Sequence, residues 1–253
     1  MRKARFYYLL RRGLLTGAAS FITEGLVMAS KFITQGLTFP AQGSAGFNGT
    51  SDFIQTNDPF NHTNHTIAAW VYVDDNADNK AVFDARDASD DGILFNVNTT
   101  EAIRYSINAA DVDSTTTHAN EWVYVVGTYD GTTQRLYING SQNNSATTSQ
   151  TISTTTDAKI GKFSYGTGGY FNGNLANVAI WNRALSSDEI NSVMWKPVQA
   201  LSATESNGLQ AWYSLDDIAS PTASLATMEQ LATDKDATIE NKAAITAAVN
   251  QLS

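Results

Sequence analysis

Carboxylates are the side chains most able to do chemistry in this sequence, and their spacing decides which chemistry. A retaining glycosidase needs two carboxyl groups about 5–5.5 Å apart, a separation that alternate positions on one strand face provide. Glu101, Glu121, Glu189 and Glu205 are isolated, and there is no Glu-x-Asp-x-Glu run. Asp111 and Asp113 have the two-residue spacing but sit among Ala, Ser and Thr, a composition that reads as a solvated loop. The pattern argues against hydrolysis and for a chain that binds rather than catalyses.

Metal chemistry is the next possibility. His62 and His65 in NHTNH are three apart, but no cysteine supports them and the stretch reads as a polar loop. Asp74, Asn76 and Asp78 place hard oxygen ligands at alternate positions, the arrangement that can wrap a calcium ion, although the glycine and distal glutamate of a helix-loop-helix site are missing. The competing reading is a solvated turn. Asp84, Asp87, Asp90 and Asp91 form a second acidic cluster. A sugar site instead needs an aromatic platform beside amide or carboxylate groups. Tyr165, Tyr170, Phe171 and Asn172 offer both in a glycine-rich segment, and the same rings serve equally well as core plugs.

The elements that must position these groups are strands. In TIAAWVYV, Ile67, Ala69, Val71 and Val73 alternate with Ala68, Trp70 and Tyr72, the period-two pattern of a strand. EWVYVVGTY and LANVAIW read the same way, and GLQAWYSL adds a late strand. Asp130-Gly131 and Asn139-Gly140 are hairpin-turn pairs, which makes Trp122 to Tyr129 and Gln134 to Ile138 antiparallel neighbours. Ser186 and Glu189 form a capping box that starts a short helix running to about Met194. Trp70, Trp122 and Trp181 lie inside alternating segments and are expected to be buried.

Composition sets the limits. With 253 residues, 42% hydrophobic and 10% aromatic, the chain can build one full all-β core. No apolar run reaches the ~18 residues of a membrane span. A net charge of −9 disfavours nucleic acid and anionic lipid as partners. With no cysteine, spacing says nothing about redox compartment.

Four segments in order, FNGTSDFIQ, TIAAWVYV, EWVYVVGTYDGTTQRLYING and IGKFSYGTGGYFNGNLANVAIWNRALSSDEI, resemble the laminin G-like domains of the concanavalin A-like lectin and glucanase superfamily. The resemblance covers about two thirds of the chain. It implies a two-sheet antiparallel jelly-roll sandwich over residues 46–217, with Trp122 and Tyr129 filling the core, and it makes calcium a common companion. Where the family usually carries an acidic pair, this chain has Ala176 and Asn177, which removes whatever that pair does. GLQAWYSL resembles the family's opening strand but follows the helix, so the sheet edge is expected to be completed from the C-terminal side.

Two arms flank the sandwich. Residues 1–45 carry LLRRGL, FITEGL and FITQGL, with glycines 12 and then 11 residues apart. Units this short cannot bury Leu14, Phe21, Ile22, Leu26, Phe32, Ile33 and Leu37 among themselves, so another chain is expected to cover them. FITQGL-type repeats resemble N-terminal segments of tailed-bacteriophage structural proteins. This implies a virion-surface protein, a capsid decoration or fibre component. Its arm would grip neighbouring structural subunits, with homo-oligomers in the assembly and a sandwich displayed to cell-surface glycan. The alternative is an extracellular bacterial carbohydrate-binding module, because Arg11-Arg12 before Leu14-Leu15 and TGAAS resembles a twin-arginine export signal. Residues 218–253 space Leu225, Met228, Leu231, Ile239, Ala243, Val249 and Leu252 as an amphipathic helix, packed on a partner or back on the sandwich.

Overall fold

A computed structural model describes residues 44–56, 60–74 and 79–215. The expected arm and C-terminal helix, and Asn76 and Asp78 of the expected calcium site, lie outside the described residues.

Among the described residues, thirteen strands form two antiparallel sheets. Sheet A has the order β1 (Ala45–Asn48), β12 (Asn172–Trp181), β3 (His65–Val73), β8 (Trp122–Tyr129), β9 (Thr133–Ile138) and β10 (Ser141–Thr147). The late strand β13 (Leu209–Tyr213) pairs antiparallel with β12, so this sheet is completed from the C-terminal side as expected. Sheet B runs β2 (Ile54–Gln55), β11 (Lys159–Ile160), β4 (Lys80–Asp84), β5 (Ile93–Val97), β6 (Ala102–Ile107) and β7 (Ala110–Thr117). FNGTSDFIQ is thus two short strands, one in each sheet. The Asn48 side chain turns the chain between them by accepting from the amides of Thr50 and Ser51, both at 2.9 Å.

The core lies between the sheets and takes one face of each alternating strand. Ile67, Ala69, Val71 and Val73 of β3 meet Ile93, Phe95, Val97, Ile103, Tyr105 and Ile107 of β5 and β6. The opposite face of sheet A holds the tryptophans. Trp70, Trp122 and Trp181 are buried to 3%, 4% and 0% exposure, yet none of the chain's five tryptophans belongs to the inter-sheet core. Trp122 therefore does not fill that core as the resemblance implied. One residue out of phase with Val123 and Val125, it points outward and packs on Tyr72 at 5.7 Å between ring centroids, while Tyr129 points inward.

Helical connections cover this outer face. Trp70 Nε1 donates to Met194 O and Trp181 Nε1 to Glu205 O, joining the sheet to α1 (Ser187–Val193) and α2 (Ala203–Ser206). Both helices start with capping boxes, Ser186 with Glu189 and Ser202 with Glu205.

Turn chemistry sets the register. Asn139 and Gly140 both have positive φ, 51° and 82°, as a two-residue hairpin turn requires. Asp130-Gly131 works differently, because only Gly131 has positive φ and Tyr129 pairs with Gln134 across a longer loop. There the Asp130 carboxylate ties the loop, accepting from the amides of Thr132 and Thr133 at 3.0 and 2.8 Å. At Ala176 and Asn177 the β12 ladder bulges. Asn177 takes φ 49° and accepts from Trp212 Nε1, so the pair standing where the family has acids serves to join β12 to β13.

Polar links cross the core, and one of them centres on a histidine. His65 on β3 is fully buried, its Nδ1 lies 3.0 Å from His62 O, and its Nε2 lies 2.5 Å from the Tyr105 hydroxyl on β6. A carbonyl beside Nδ1 requires the proton there, so the ring is neutral and Nε2 accepts from Tyr105. Burial lowers the His65 pKa to about 4. This histidine is a core residue rather than a metal ligand. Room for the tyrosine comes from Gly127, where a Cβ would lie 2.7 Å from the Tyr105 ring.

Candidate functional site

With the outer face of sheet A covered by helices, the outer face of sheet B is where chemistry-bearing side chains gather. On β5 and β6 the residues between the core positions are Leu94, Asn96, Arg104 and Ser106, and on β7 they are Asp111 and Asp113. Strand register arranges them in two rows. Asn96, Arg104 and Asp113 stand side by side across three strands, and Leu94, Ser106 and Asp111 form the row beside them. Asp111 and Asp113 are therefore strand residues, correcting the loop reading.

The connection between β11 and β12 brings Phe163, Tyr165, Gly166 and Gly168 to the same place. Together with Arg86, Asp90 and Asn79 these residues enclose an open cleft of about 420 Å³ over the two rows. Arg86 fixes the wall. Its guanidinium carbon lies 5.3 Å from the Tyr165 ring centroid and 5.5 Å from that of Phe163, a cation–π arrangement. Its Nη2 reaches Asp84 at 3.0 Å and its Nη1 reaches Asp90 at 2.7 Å. The Tyr165 hydroxyl donates to the same Asp90 oxygen at 2.6 Å, and the hydrogen bond to that carboxylate, with burial, pushes the phenol pKa up. Burial likewise pushes the Asp84 carboxyl up against the opposing pull of Arg86.

Arg104 organises the floor. Its Nε and Nη2 grip Asp113 at 2.7 and 2.8 Å, and its Nη1 meets Asp111 at 2.8 Å. Asn96 beside it is 0% exposed, donating through Nδ2 to Asn79 Oδ1 at 2.5 Å and to Val97 O at 3.4 Å. These two acceptors orient the amide, and its Oδ1 has no hydrogen-bond partner among the described residues. A buried carbonyl left this way costs roughly 1–3 kcal/mol.

Of the four aromatic and amide residues expected to hold sugar, only Tyr165 lines the cleft. Phe171 is 0% exposed and packs edge-on to Phe47 at 6.0 Å in the core, because it stands beside β12, whose side chains feed the space between the sheets. Tyr170 packs against Phe53 at 6.3 Å, with Lys162 Nζ 4.9 Å from its ring, and Asn172 begins β12 opposite Asn48. Neither lines the cleft.

Asp74 follows β3 half-buried, and burial raises its carboxyl pKa. The second acidic cluster is committed to protein partners. Asp84 and Asp90 hold Arg86, Asp87 accepts the amides of Ser89 and Asp91 in a turn, and Asp91 holds Ser153. Among the described residues no group of three or more His, Asp or Glu side chains is placed to hold a metal.

Sequence reasoning missed Asn96, Arg104, Ser106 and Phe163. The signal for Arg104 and Ser106 was the alternation in AIRYSI, where polar residues interleave with core residues, whereas ILFNV hides Asn96 at the end of an apolar run.

Among solved structures, the fold is similar to a candidate carbohydrate-binding protein from Bacteroides ovatus, with a TM-score of 0.59 and 18% identity over 70% of this chain and 52% of that one. The chain thus spans about half the length of that protein. Domain 4 of an extracellular arabinanase from Geobacillus stearothermophilus gives a TM-score of 0.48 at 17% identity, covering 60% of this chain and 76% of that one. Mouse laminin α1 domains LG4-5 give 0.46 at 15% identity, covering 58% and 44%. At these identities the likeness is one of fold. No curated protein matches the chain. The laminin G-type model of the concanavalin A-like lectin/glucanases superfamily matches residues 48–191, more than half of the 253 residues, and the chain belongs to that superfamily.

Proposed function

We propose that the chain is a non-catalytic carbohydrate-binding protein whose sugar site is the cleft on sheet B. The observation that carries this reading is Asn96 Oδ1, a buried acceptor without a partner among residues lining an open cleft. Around it stand the features a sugar uses: aromatic rings at Phe163 and Tyr165, a hydroxyl at Ser106, and carboxylate oxygens at Asp90 and Asp111. The way the cleft carboxylates are used supports binding over hydrolysis. Asp111 is held by Arg104, and Asp90 by Arg86 and Tyr165. A general acid must instead be free to protonate a leaving oxygen.

The near-isosteric variant Asn96→Leu tests the site. It removes the unpartnered oxygen together with the Nδ2 donations to the exposed Asn79 and, at 3.4 Å, to Val97 O, so gain and loss offset and the melting temperature is expected to stay near the wild-type value, while affinity for a bound oligosaccharide falls about tenfold, the value of one hydrogen bond. Calorimetric titration beside a thermal melt reads both. Unchanged affinity would place the sugar elsewhere, and joint loss of stability and affinity would make Asn96 a structural residue.

The FIT-x-GL repeat supports a further part of this reading, in which residues 1–45 anchor the sandwich to an assembly such as a virion and leave the cleft facing outward. Deleting residues 1–40 is expected to leave a folded sandwich that no longer incorporates into the particles. Incorporation at wild-type occupancy, measured by quantitative mass spectrometry, would end the anchoring role.

A further inference from the structure

We infer that the cleft selects neutral sugars and rejects acidic ones. The inference rests on the reading of the cleft as a carbohydrate site and adds the charge class of its ligand.

Two guanidiniums stand at the cleft among four carboxylates. Arg104 spends its Nε–Nη2 edge on Asp113 and its Nη1 on Asp111. Arg86 spends Nε and Nη2 on Asp84, at 3.1 and 3.0 Å, and Nη1 on Asp90. Neither arginine keeps an open fork for the bidentate capture of a uronate, sialate or sulfate. Each cation is already matched: Asp90 and Asp111 balance the two arginines within the cleft lining, and Asp84 and Asp113 back the same guanidiniums from outside it, so no free positive charge is left to hold an anion. The chain's net charge of −9 adds repulsion at long range.

The hydrogen-bonding inventory gives the same answer. Asn96 Oδ1 lacks a donor, and Asp90 and Asp111 have side chains 44% and 37% exposed, with lone pairs directed to solvent as well as to arginine. Such a site asks its ligand for O–H donors. Neutral sugars carry several per ring, whereas a carboxylate or sulfate group supplies only acceptors. An acidic sugar therefore meets repulsion where a neutral one meets complementary partners.

The test uses the full chain and two sets of probes: cellohexaose, xylohexaose and mannohexaose against hexagalacturonate and a heparin hexasaccharide. At physiological salt, at least one neutral probe is expected to bind, at least about tenfold more tightly than either acidic probe. Its affinity should fall with Asn96→Leu. Asp111→Asn, which removes one negative charge, should narrow the difference by strengthening hexagalacturonate. Tighter binding of an acidic probe, lost with Asn96→Leu, would overturn the selectivity and leave the cleft as the sugar site. Failure of every probe, or acidic binding indifferent to Asn96→Leu, would overturn both the selectivity and the cleft reading.

Discussion

Lowering the pH from 7 to 4 is expected to remove about 3 kcal/mol of folding stability through His65 alone. In the unfolded chain the imidazole titrates near its ordinary value of about 6.5, whereas burial between the sheets holds it at about 4 in the folded protein. Between those values the unfolded chain binds the extra proton, so stability falls as pH falls through that window and is fully restored above about 6.5. The cost is steep because Nδ1 is committed to the carbonyls of His62 and Thr63, and Nε2 to the Tyr105 hydroxyl. A second proton on the ring would turn Nε2 into a donor facing that hydroxyl in an apolar core. Urea midpoints measured across this range should slope steeply for the wild type. They should slope less by about 3 kcal/mol in the double variant His65→Leu with Tyr105→Phe, which removes both partners at once and leaves neither orphaned. Equal slopes would mean that His65 is not the acid-sensitive group, and the carboxylates of Glu205 and Glu189, held low by Lys196 and Arg183, would become the candidates.

How far the sequence reveals this molecule depends on how strongly each segment's pattern is tied to one environment. In β3 both faces are buried, but the small and branched residues alternate with the large aromatic ones, so the two faces separate on inspection. The Ser186–Glu189 capping box and the Asn139-Gly140 turn are local devices whose geometry needs no distant partner, and both form as their residues dictate. Strand β7 is the opposite case. It is the edge of sheet B and buries little beyond Val112 and Ser114, so ADVDSTTT lacks the apolar alternation that marks a strand. Its place comes from Arg104, which bridges from β6 to Asp111 and Asp113, and no local pattern reports that contact.

The same limit hid most of the cleft. Asn96 sits in ILFNV, which reads as a fully buried apolar run. Tyr165 and Phe171 are six residues apart with similar rings, yet one lines the cleft and the other fills the core, because Phe171 stands beside β12 while Tyr165 is held out by Arg86 and Asp90. Ring type alone does not separate a platform from a plug.

Filling the cleft tests the central claim most directly. Gly168 lines it, has no atom within 4 Å of where a Cβ would stand, and holds a backbone conformation that side chains accept. Gly166 nearby has the same open space but a φ of 74°, which would add strain. Gly168→Trp therefore adds bulk to the wall of the cleft without disturbing the core beneath it. The melting temperature of this variant is expected to match the wild type, and affinity for a neutral oligosaccharide that the wild type binds is expected to fall about 100-fold or more, roughly 2.7 kcal/mol. Wild-type affinity in a folded Gly168→Trp protein would mean that the sugar binds elsewhere on the sandwich and that the cleft on sheet B is not the functional site.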